Sequence, residues 1–397
     1  MPPPLPAIRL LVPGNIRHNS GGNVYNAALA RGLEQLGVGV TIQPVAGNWP
    51  VGSKEERRRL AGLLTAGTPA GTMAGAPAAA VTIVDGLVAS GAPEAMEAAA
   101  AGDHAPWVLL HMPLDGHPDL EARALRAAAG VICTSGSAAA EITRRHGLSG
   151  VRAALPGTQR ARVADGSQPP RLLAVAALLP NKDQLVLLGA LARLQDLEWT
   201  AALVGSAAAD PGYARQVAVA VERHGLAGRV QLPGELTGEA LEQQWHAADL
   251  SLLVSKVEAF GMAVTESVAR GVPVIVRAGT GAVEALGLGA EPEPEPEARE
   301  GAERALPGAA VELGGEPAEG ESADGEGDSA EGNPEPLALL LRSWLTDPAL
   351  RADWRRRALA GREVLPGWDA TARQVLGFVA PEAPRGGHSS RPPADGE

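Results

Sequence analysis

The sequence predicts an α/β protein with two similar domains, each built on a parallel sheet. The chain has 397 residues, more than a single core usually holds. It is 45% hydrophobic but only 3% aromatic, so we expect cores of alanine, valine and leucine, which favour the packing of helices on sheets. Short apolar runs alternate with alanine-rich helical patterns, an order typical of parallel sheets that are covered on both faces.

The first half, residues 1–165, contains five apolar runs that predict strands. They are AIRLLV (7–12), VGVTIQPV (38–45), AAVTIVDGL (79–87), WVLLHM (107–112) and GVICTS (130–135). The polar turn 13–22 follows the first strand, and apolar residues at helical spacing then continue until Gly37 ends the helix. The polar, proline-containing segment 161–170 is typical of a linker between domains.

The pattern restarts in the second half, residues 166–365. The predicted strands are RLLAVAAL (171–178), WTAALVG (199–205), RVQLPG (229–234), DLSLLVS (249–255) and VPVIV (272–276). Helical patterns separate them, and two amphipathic helices follow over 336–345 and 348–365. A final helix is predicted within 366–380, and residues 381–397 have the composition of a disordered tail.

The net charge of −12 arises in one segment, residues 291–335, which holds 15 acidic residues and two arginines. The rest of the chain carries 31 acidic and 32 basic residues, without a basic patch, so nucleic-acid binding is excluded. Two acidic runs, about 290–303 and 315–335, predict disordered insertions in surface loops, and 305–315 a short connecting segment between them. Docking of a basic partner is the alternative role for the acidic runs.

The sequence contains few features that indicate a cellular compartment. Cys133 is the only cysteine, so an internal disulfide is impossible, and we expect an inert buried thiol in a reducing compartment. No apolar run reaches about 18 residues, and the start lacks a basic region before an apolar run. We therefore expect a cytoplasmic protein without an integral membrane segment, and leave peripheral membrane association open. The eight histidines are scattered, so no metal site is predicted.

Two carboxylates, Glu258 and Glu266, stand eight positions apart around a predicted loop and helix start. The loop follows a strand, and open α/β sheets bind ligands at the carboxyl ends of their strands. Gly261 would let backbone N–H groups approach an anion such as phosphate. Carboxylates on either side of a phosphate suit a ligand with vicinal hydroxyls. From spacing alone, a solvated loop residue and an ordinary helix-face residue are the commoner alternatives.

The run of residues 233–286 resembles the donor-binding half of the retaining GT-B glycosyltransferases of family 4, and the likeness extends over about 170–285. The resemblance implies two Rossmann-like domains that face a cleft, with a nucleotide-sugar donor on the second and the acceptor on the first. It implies transfer with retention at the anomeric carbon. The residues that carry it are Asp249, Glu258, Phe260, Gly261, Glu266, Ala269, Gly271, Pro273, Val274, Gly279, Gly281 and Glu284.

The resemblance also implies individual roles. Glu258 would bind hydroxyls of the donor sugar, Glu266 the ribose and Lys182 the diphosphate, and the catalytic set is His111, Lys182 and Glu258. The acceptor side would be formed by Asp85 and His111, although a lone histidine after a strand is more often structural. The other donor contacts expected are Gly21, Gly22, Phe260, Gly261 and Met262.

One position departs from the family pattern. Ala177 stands where the family usually has an arginine, so Lys182 would have to act on the diphosphate without it. Two alternatives therefore stay open, a non-catalytic nucleotide-sugar-binding protein and a GT-B sugar-nucleotide epimerase. The expected donor is a UDP or GDP sugar, with no separate cofactor, and the sequence does not identify the acceptor.

Overall fold

The computed structural model describes residues 5–16, 20–65, 81–114, 116–290, 305–314 and 332–380. The strands of the first half are β1 (Ile8–Pro13), β2 (Val40–Val45), β3 (Val81–Asp85), β4 (Trp107–Leu110), β5 (Gly130–Cys133) and β6 (Arg152–Ala153). The helices of this half are α1 (Gly21–Gln35), α2 (Lys54–Thr65), α3 (Gly86–Ser90), α4 (Pro93–Ala101), α5 (Pro118–Arg126) and α6 (Gly136–His146).

The second half repeats this alternation of strands and helices. Its strands are β7 (Arg171–Val175), β8 (Thr200–Val204), β9 (Val230–Gly234), β10 (Leu250–Leu253), β11 (Val274–Arg277) and β12 (Gly308–Val311). The helices that follow β7 are α7 (Gln184–Ala192), α8 (Pro211–Arg223), α9 (Gly238–His246), α10 (Met262–Ala269), α11 (Ala282–Leu288), α12 (Glu335–Thr346), α13 (Pro348–Gly361) and α14 (Trp368–Val379).

The strands form two six-stranded sheets, and every strand pair is parallel. The first has the order β2-β1-β3-β4-β5-β6, and the second has the order β12-β11-β10-β7-β8-β9. The predicted α/β class with two parallel sheets is confirmed, and β6 and β12 extend it by one unpredicted edge strand each. Strand order reverses beside β1 and β3 in the first sheet and beside β7 and β10 in the second. Such switch points leave a crevice at the carboxyl ends of the strands.

The predicted linker is not a free tether, because its backbone is bound along the second half. The N–H of Ala164 donates to the carbonyl of Arg270 at 2.9 Å, and that of Gly166 to the carbonyl of His246 at 3.0 Å. The Asp249 carboxylate accepts hydrogen bonds from the backbone N–H of Ser167 and of Arg171. The backbone of this segment is thus bonded to the second half, and Asp249 of the family pattern holds the segment in place.

Helix α14 packs on the first half, where Ala372 and Val375 are fully buried with strands β1 and β3. The Thr371 hydroxyl donates to the carbonyl of Leu155 at 2.7 Å. A Cβ on Gly32 of α1 would lie 2.9 Å from the Ala372 side chain, so a glycine is needed for this close approach. The last described helix therefore belongs to the core of the first half.

Most of the two acidic runs and the predicted tail 381–397 lie outside the described residues. Residues 308–311 between the runs form β12, although the sequence predicted only a connecting segment there. The backbone N–H of Asn333 donates to the carbonyl of Leu313 at 2.7 Å. The residues that precede and follow segment 315–331 therefore lie next to each other. None of the helices in the described part of the chain is long and apolar enough to cross a membrane.

Candidate functional site

A cleft of about 430 Å³ lies between the carboxyl ends of the two sheets. Loops of both halves line it, as expected for two switch points that face each other. All ten residues predicted for the site line this one cleft, although they are spread over some 245 positions of the chain. They are Gly21, Gly22, Asp85, His111, Lys182, Glu258, Phe260, Gly261, Met262 and Glu266.

Lys182 and Glu258 form an ion pair in the second-half wall of the cleft. Lys182 ends a short 3₁₀ turn after β7, and its Nζ lies 2.7 Å from Oε2 of Glu258. The two side chains are 20% and 16% exposed. The pair engages one oxygen of Glu258 and holds the ammonium group at the cleft surface. A ligand phosphate would therefore meet a lysine that is already oriented.

A buried ion pair fixes the turn that carries Lys182. Asp183 has a left-handed backbone (φ 54°), which aspartate tolerates better than most residues, and its carboxylate pairs with Arg277. The Arg277 guanidinium also donates to the carbonyls of Val254 at 3.0 Å and Gly314 at 3.1 Å. The sequence analysis missed Arg277, whose signal is a lone charge at the end of the apolar strand VPVIVR.

The N-terminus of α10 opens into the cleft without a side-chain cap. Gly261 precedes it with φ 86°, and a Cβ there would lie 2.8 Å from Leu253, so only glycine fits. The carbonyl of Glu258 accepts the N–H of Gly281 at 2.7 Å, which holds the loop before α10. Because first-turn N–H groups have no intrahelical partner, this end of α10 can bind an anion.

Glu266 lies one turn further along α10, partly exposed to the cleft. Among the described residues, none donates a hydrogen bond to its carboxylate. Burial raises the pKa of Glu266, and the nearby Glu242 adds to the rise while Arg270 opposes it. Arg270 is held by an ion pair with Glu242 and donates to the Glu266 carbonyl at 2.8 Å. Glu266 thus offers carboxylate oxygens that are open to ligand hydroxyls.

His111 lies in the opposite wall, at the end of β4. Its Nε2 is 3.0 Å from Oδ1 of Asn26 and 3.3 Å from Oδ2 of Asp85, and the Asn26 amide donates to that same carboxylate oxygen at 3.0 Å. Because the Asn26 amide nitrogen faces Asp85, its oxygen Oδ1 faces His111 and accepts a hydrogen bond from Nε2. A neutral His111 then carries its proton on Nε2, which leaves Nδ1 as a hydrogen-bond acceptor. Among the described residues, Nδ1 has no hydrogen-bond partner.

Asp85 lies in the same wall, and its carboxylate is bonded within the protein. Its Oδ1 accepts the N–H of Leu87 at 3.0 Å at the start of α3, and its Oδ2 faces Asn26 and His111. The side chain is 3% exposed. Both carboxylate oxygens are thus engaged within the protein, and Oδ2 positions His111, while a direct contact of Asp85 with the acceptor stays a prediction.

The glycine pair at the start of α1 lies where the two walls meet. Ser20 caps the helix by accepting the N–H of Asn23 at 3.2 Å. A Cβ on Gly22 would lie 3.1 Å from the His111 ring, and one on Gly21 would lie 3.5 Å from the Met262 methyl group of the second half. A larger residue at Gly22 would displace His111. The preceding Asn19 lies outside the described residues.

Two further contacts were not predicted from the sequence, although Glu284 belongs to the family pattern. The Tyr25 ring packs edge-on against His111, with centroids 5.2 Å apart, and against Trp368 of α14 at 5.3 Å. Glu284 of α11 accepts the N–H of Gly136 at 2.8 Å and of Ser137 at 2.9 Å, so a second-half carboxylate caps helix α6 of the first half. Both contacts join parts of the chain that are far apart in sequence, which local patterns do not reveal.

Elsewhere the described residues offer little further chemistry. Within the described ranges, no three His, Cys, Asp or Glu side chains are grouped so that they could hold a metal ion. Cys133 is buried at the end of β5, where burial raises the pKa of its thiol to about 12. This agrees with an inert thiol, since the reactive form is the thiolate.

Comparison with known proteins supplies the family context. Residues 157–292 match the sequence model of the family described as glycosyl transferases group 1. Among curated protein sequences, none matches the chain. Several solved structures are similar over nearly the whole chain, at low sequence identity.

Three of these structures represent the group. HepE of Anabaena, in complex with UDP and glucose, has a TM-score of 0.65 at 15% identity, over 94% of this chain and 99% of its own. A glycosyltransferase of Rickettsia africae has a TM-score of 0.68 at 15% identity, over 95% and 100%. The sucrose-phosphate synthase of Thermosynechococcus elongatus has 0.67 at 18% identity, over 94% and 98%. The chain therefore shares their two-sheet fold.

Proposed function

We propose that the protein is a GT-B glycosyltransferase whose cleft performs sugar transfer, since residues 157–292 match the glycosyl transferases group 1 model and the chain shares the two-sheet fold of HepE. A nucleotide-sugar donor binds to the second-half wall, and an acceptor hydroxyl enters from the first-half wall. The sugar moves with retention at the anomeric carbon. The observation that carries the assignment is the grouping of Lys182, Glu258, Glu266 and the uncapped start of α10 on one wall.

Each part of a nucleotide sugar has a chemical counterpart on that wall. The α10 amides and Lys182 are the anion-binding groups, so the diphosphate binds there. Glu258 lies beside Lys182 and keeps one oxygen for sugar hydroxyls. Glu266 lies one turn along α10 and accepts the ribose hydroxyls. HepE was solved with UDP and with UDP-glucose, which supports a UDP sugar among the expected UDP or GDP sugars.

In the reaction, the bond from the anomeric carbon to the diphosphate breaks, and the acceptor oxygen bonds to the same face of that carbon. Negative charge grows on the departing phosphate, where the α10 amides and Lys182 stabilise it more strongly than in the bound donor. The acceptor proton passes to the leaving phosphate oxygen. On entry the hydroxyl donates its hydrogen bond to His111 Nδ1, which orients it, and the O–H turns to the phosphate oxygen as the bond to the diphosphate breaks.

Thermal unfolding with UDP, GDP and ADP sugars tests the donor assignment. A donor at 100 times its Kd should stabilise the protein by about 2.7 kcal/mol. The selected donor is then mixed with candidate alcohols, nucleoside diphosphate release is followed, and the anomeric configuration of the product is read by NMR. Absence of stabilisation by every sugar nucleotide would contradict the proposal, and inversion at the anomeric carbon would contradict the mechanism.

A non-catalytic binding protein is the second candidate. Ala177 lines the cleft where the family usually has an arginine, and Lys182 is the only lysine or arginine among the described residues that line it. Donor binding without turnover in the wild type, together with turnover in Ala177→Arg, would favour this candidate. Conversion of the sugar nucleotide to an isomer, without transfer, would indicate an epimerase.

A further inference from the structure

The first-half wall of the cleft, which we call the acceptor wall, is mainly apolar. Seven of its side chains are hydrocarbon or thioether groups: Pro13, Ile16, Val24, Leu87, Met112, Leu114 and Pro156. Met112 follows His111 directly and is 40% exposed, although most large apolar residues of the chain are buried. An apolar surface of this kind beside the reacting group requires a partner that covers it.

Three polar side chains of the acceptor wall are already engaged within the protein. The Tyr25 hydroxyl donates to the carbonyl of Ala154 at 2.9 Å, and the Thr134 hydroxyl to the carbonyl of His111 at 3.3 Å. Asp85 is occupied as described above. His111 Nδ1 is therefore the principal acceptor that remains, enough for one hydroxyl of a ligand. A polyhydroxyl acceptor would lose water from its other hydroxyls without gaining partners.

The described residues of the acceptor wall also offer no basic side chain to an anionic group. In the described residues, no lysine or arginine lines this wall, and Lys182 stands on the opposite wall in its ion pair with Glu258. The acidic side chains that line the cleft are Asp85, Glu235, Glu258 and Glu266. A phosphate on the acceptor would therefore be desolvated beside carboxylates, which is costly without a cationic partner.

The acceptor wall is held in a fixed shape. The N–H of Leu114 donates to Oε2 of Glu121 at 2.7 Å, and the other oxygen of Glu121 lies 2.7 Å from Nε2 of His146. Glu121 is completely buried, so this pair anchors the loop of Met112 and Leu114 from within. The part of the apolar surface formed by Met112 and Leu114 is thus held in place without a ligand.

We infer that the acceptor is an uncharged molecule whose reactive hydroxyl is attached to an apolar body. The body covers the acceptor wall, and the single hydroxyl binds His111 Nδ1 and faces the donor. This inference rests on the proposed function, because it names the substrate class of the same cleft. It goes beyond that function in excluding sugar phosphates and oligosaccharides as the favoured acceptors.

Three primary alcohols test the inference, because they differ mainly in the body that bears the hydroxyl. Benzyl alcohol, glycerol and glycerol 3-phosphate are each mixed with the full-length protein and the donor selected by thermal shift. Nucleoside diphosphate release gives the rate, and mass spectrometry identifies the glycosylated product. We expect kcat/KM to be about tenfold or more higher for benzyl alcohol than for glycerol, and lowest for glycerol 3-phosphate.

The outcomes separate the two proposals. A donor that neither binds nor is consumed would overturn the proposed function. Consumption of the donor with equal transfer to the three alcohols, with preference for glycerol or its phosphate, or without transfer to benzyl alcohol would overturn only the inference about the acceptor.

A pair of matched variants assigns the preference to the acceptor wall. Met112→Gln replaces the exposed thioether by an amide of similar length, and Leu339→Gln makes a comparable change on α12, where Leu339 is 58% exposed. The ratio of benzyl alcohol transfer to donor hydrolysis should fall at least about threefold in Met112→Gln and stay at the wild-type value in Leu339→Gln. An unchanged ratio in a folded Met112→Gln protein would refute the assignment.

Discussion

The two walls of the cleft differ in what they leave unsatisfied. In the second half, the start of α10 has no side-chain cap, and no described residue donates to the Glu266 carboxylate. In the first half, Asp85, Asn26 and His111 bond one another, and the surrounding side chains are mainly apolar. The first arrangement is ready for a highly polar ligand, and the second for a hydroxyl on an apolar one. Similar folds thus acquire different ligand chemistry from their loops.

The largest effect on activity is expected from substitution of Lys182, because this lysine supplies the positive charge that the first-half wall does not have among its described residues. Lys182→Ala should lower kcat/KM by about 10²- to 10³-fold, because phosphate charge grows as the donor bond breaks. The Kd of the free nucleoside diphosphate should change less. Lys54→Ala is the matched control, since Lys54 is an exposed lysine at the start of α2. Unchanged turnover in Lys182→Ala would place leaving-group stabilisation elsewhere.

Substitutions of Glu266 and Glu258 should affect the binding of two different parts of the donor. Glu266→Gln should weaken the binding of the free nucleotide by about 10- to 100-fold, the effect of a lost charge-assisted hydrogen bond. Glu258→Gln should mainly reduce discrimination among donor sugars. Calorimetric Kd values for the nucleotide and for two of its sugars check this. Equal, negligible effects of both substitutions would contradict the assignment.

The raised pKa of Glu266 adds a pH dependence to the stability of the fold. As pH rises above the ordinary glutamate value, the unfolded chain releases this proton before the folded chain does, so the free energy of unfolding decreases through that window. Below it, both states are protonated and the cost disappears. Glu266→Gln should therefore raise the Tm at neutral pH and leave it unchanged near pH 4. A lower Tm at neutral pH would contradict the direction of the pKa shift.

On the first-half wall, His111→Gln should reduce transfer about tenfold and retain donor binding and donor hydrolysis, because His111 orients only the acceptor. Asn26→Ala should reproduce part of this loss, since Asn26 holds the imidazole through Nε2. His104→Gln is the control, because His104 is exposed and lies away from the cleft lining. Steady-state transfer and hydrolysis are measured on the same samples. Loss of donor affinity with normal transfer would contradict the placement of His111.

Most of the fold and the main residues of the second-half wall could be predicted from the sequence. Alternating apolar runs located ten of the twelve described strands, because buried parallel strands are continuous in sequence. The edge strands β6 and β12 were not predicted, because β6 has only two residues and β12 begins with glycine. Glu258, Gly261 and Glu266 lie within one loop and helix and are visible as a local pattern.

The first-half wall could be predicted less well, because its contacts are nonlocal. His111 and Asp85 were recognised through resemblance, but their link through Asn26 joins positions 26, 85 and 111. No local spacing contains that information. The buried ion pair of Asp183 and Arg277 was missed for the same reason, since its members are 94 positions apart. Sequence patterns locate residues on strands and loops, and the topology decides which of them meet.

The smallest effect is expected at Glu284. This residue connects the two halves, whereas each of the other substitutions concerns only one wall of the cleft. Its carboxylate accepts two backbone N–H groups of α6, and Gly281, three residues earlier, is bonded to the Glu258 carbonyl. Glu284 should therefore hold the donor loop at a fixed distance from the acceptor wall. Glu284→Gln keeps the shape but replaces one acceptor oxygen by a donor group, so we expect a rise in donor KM of about three- to tenfold, with kcat at saturation close to wild type. Glu222→Gln, an exposed position on α8, controls for loss of a charge. Full kinetic curves for both variants, with Tm as a check of folding, decide the matter. An unchanged KM with a lowered Tm would show that Glu284 stabilises the fold without positioning the donor loop.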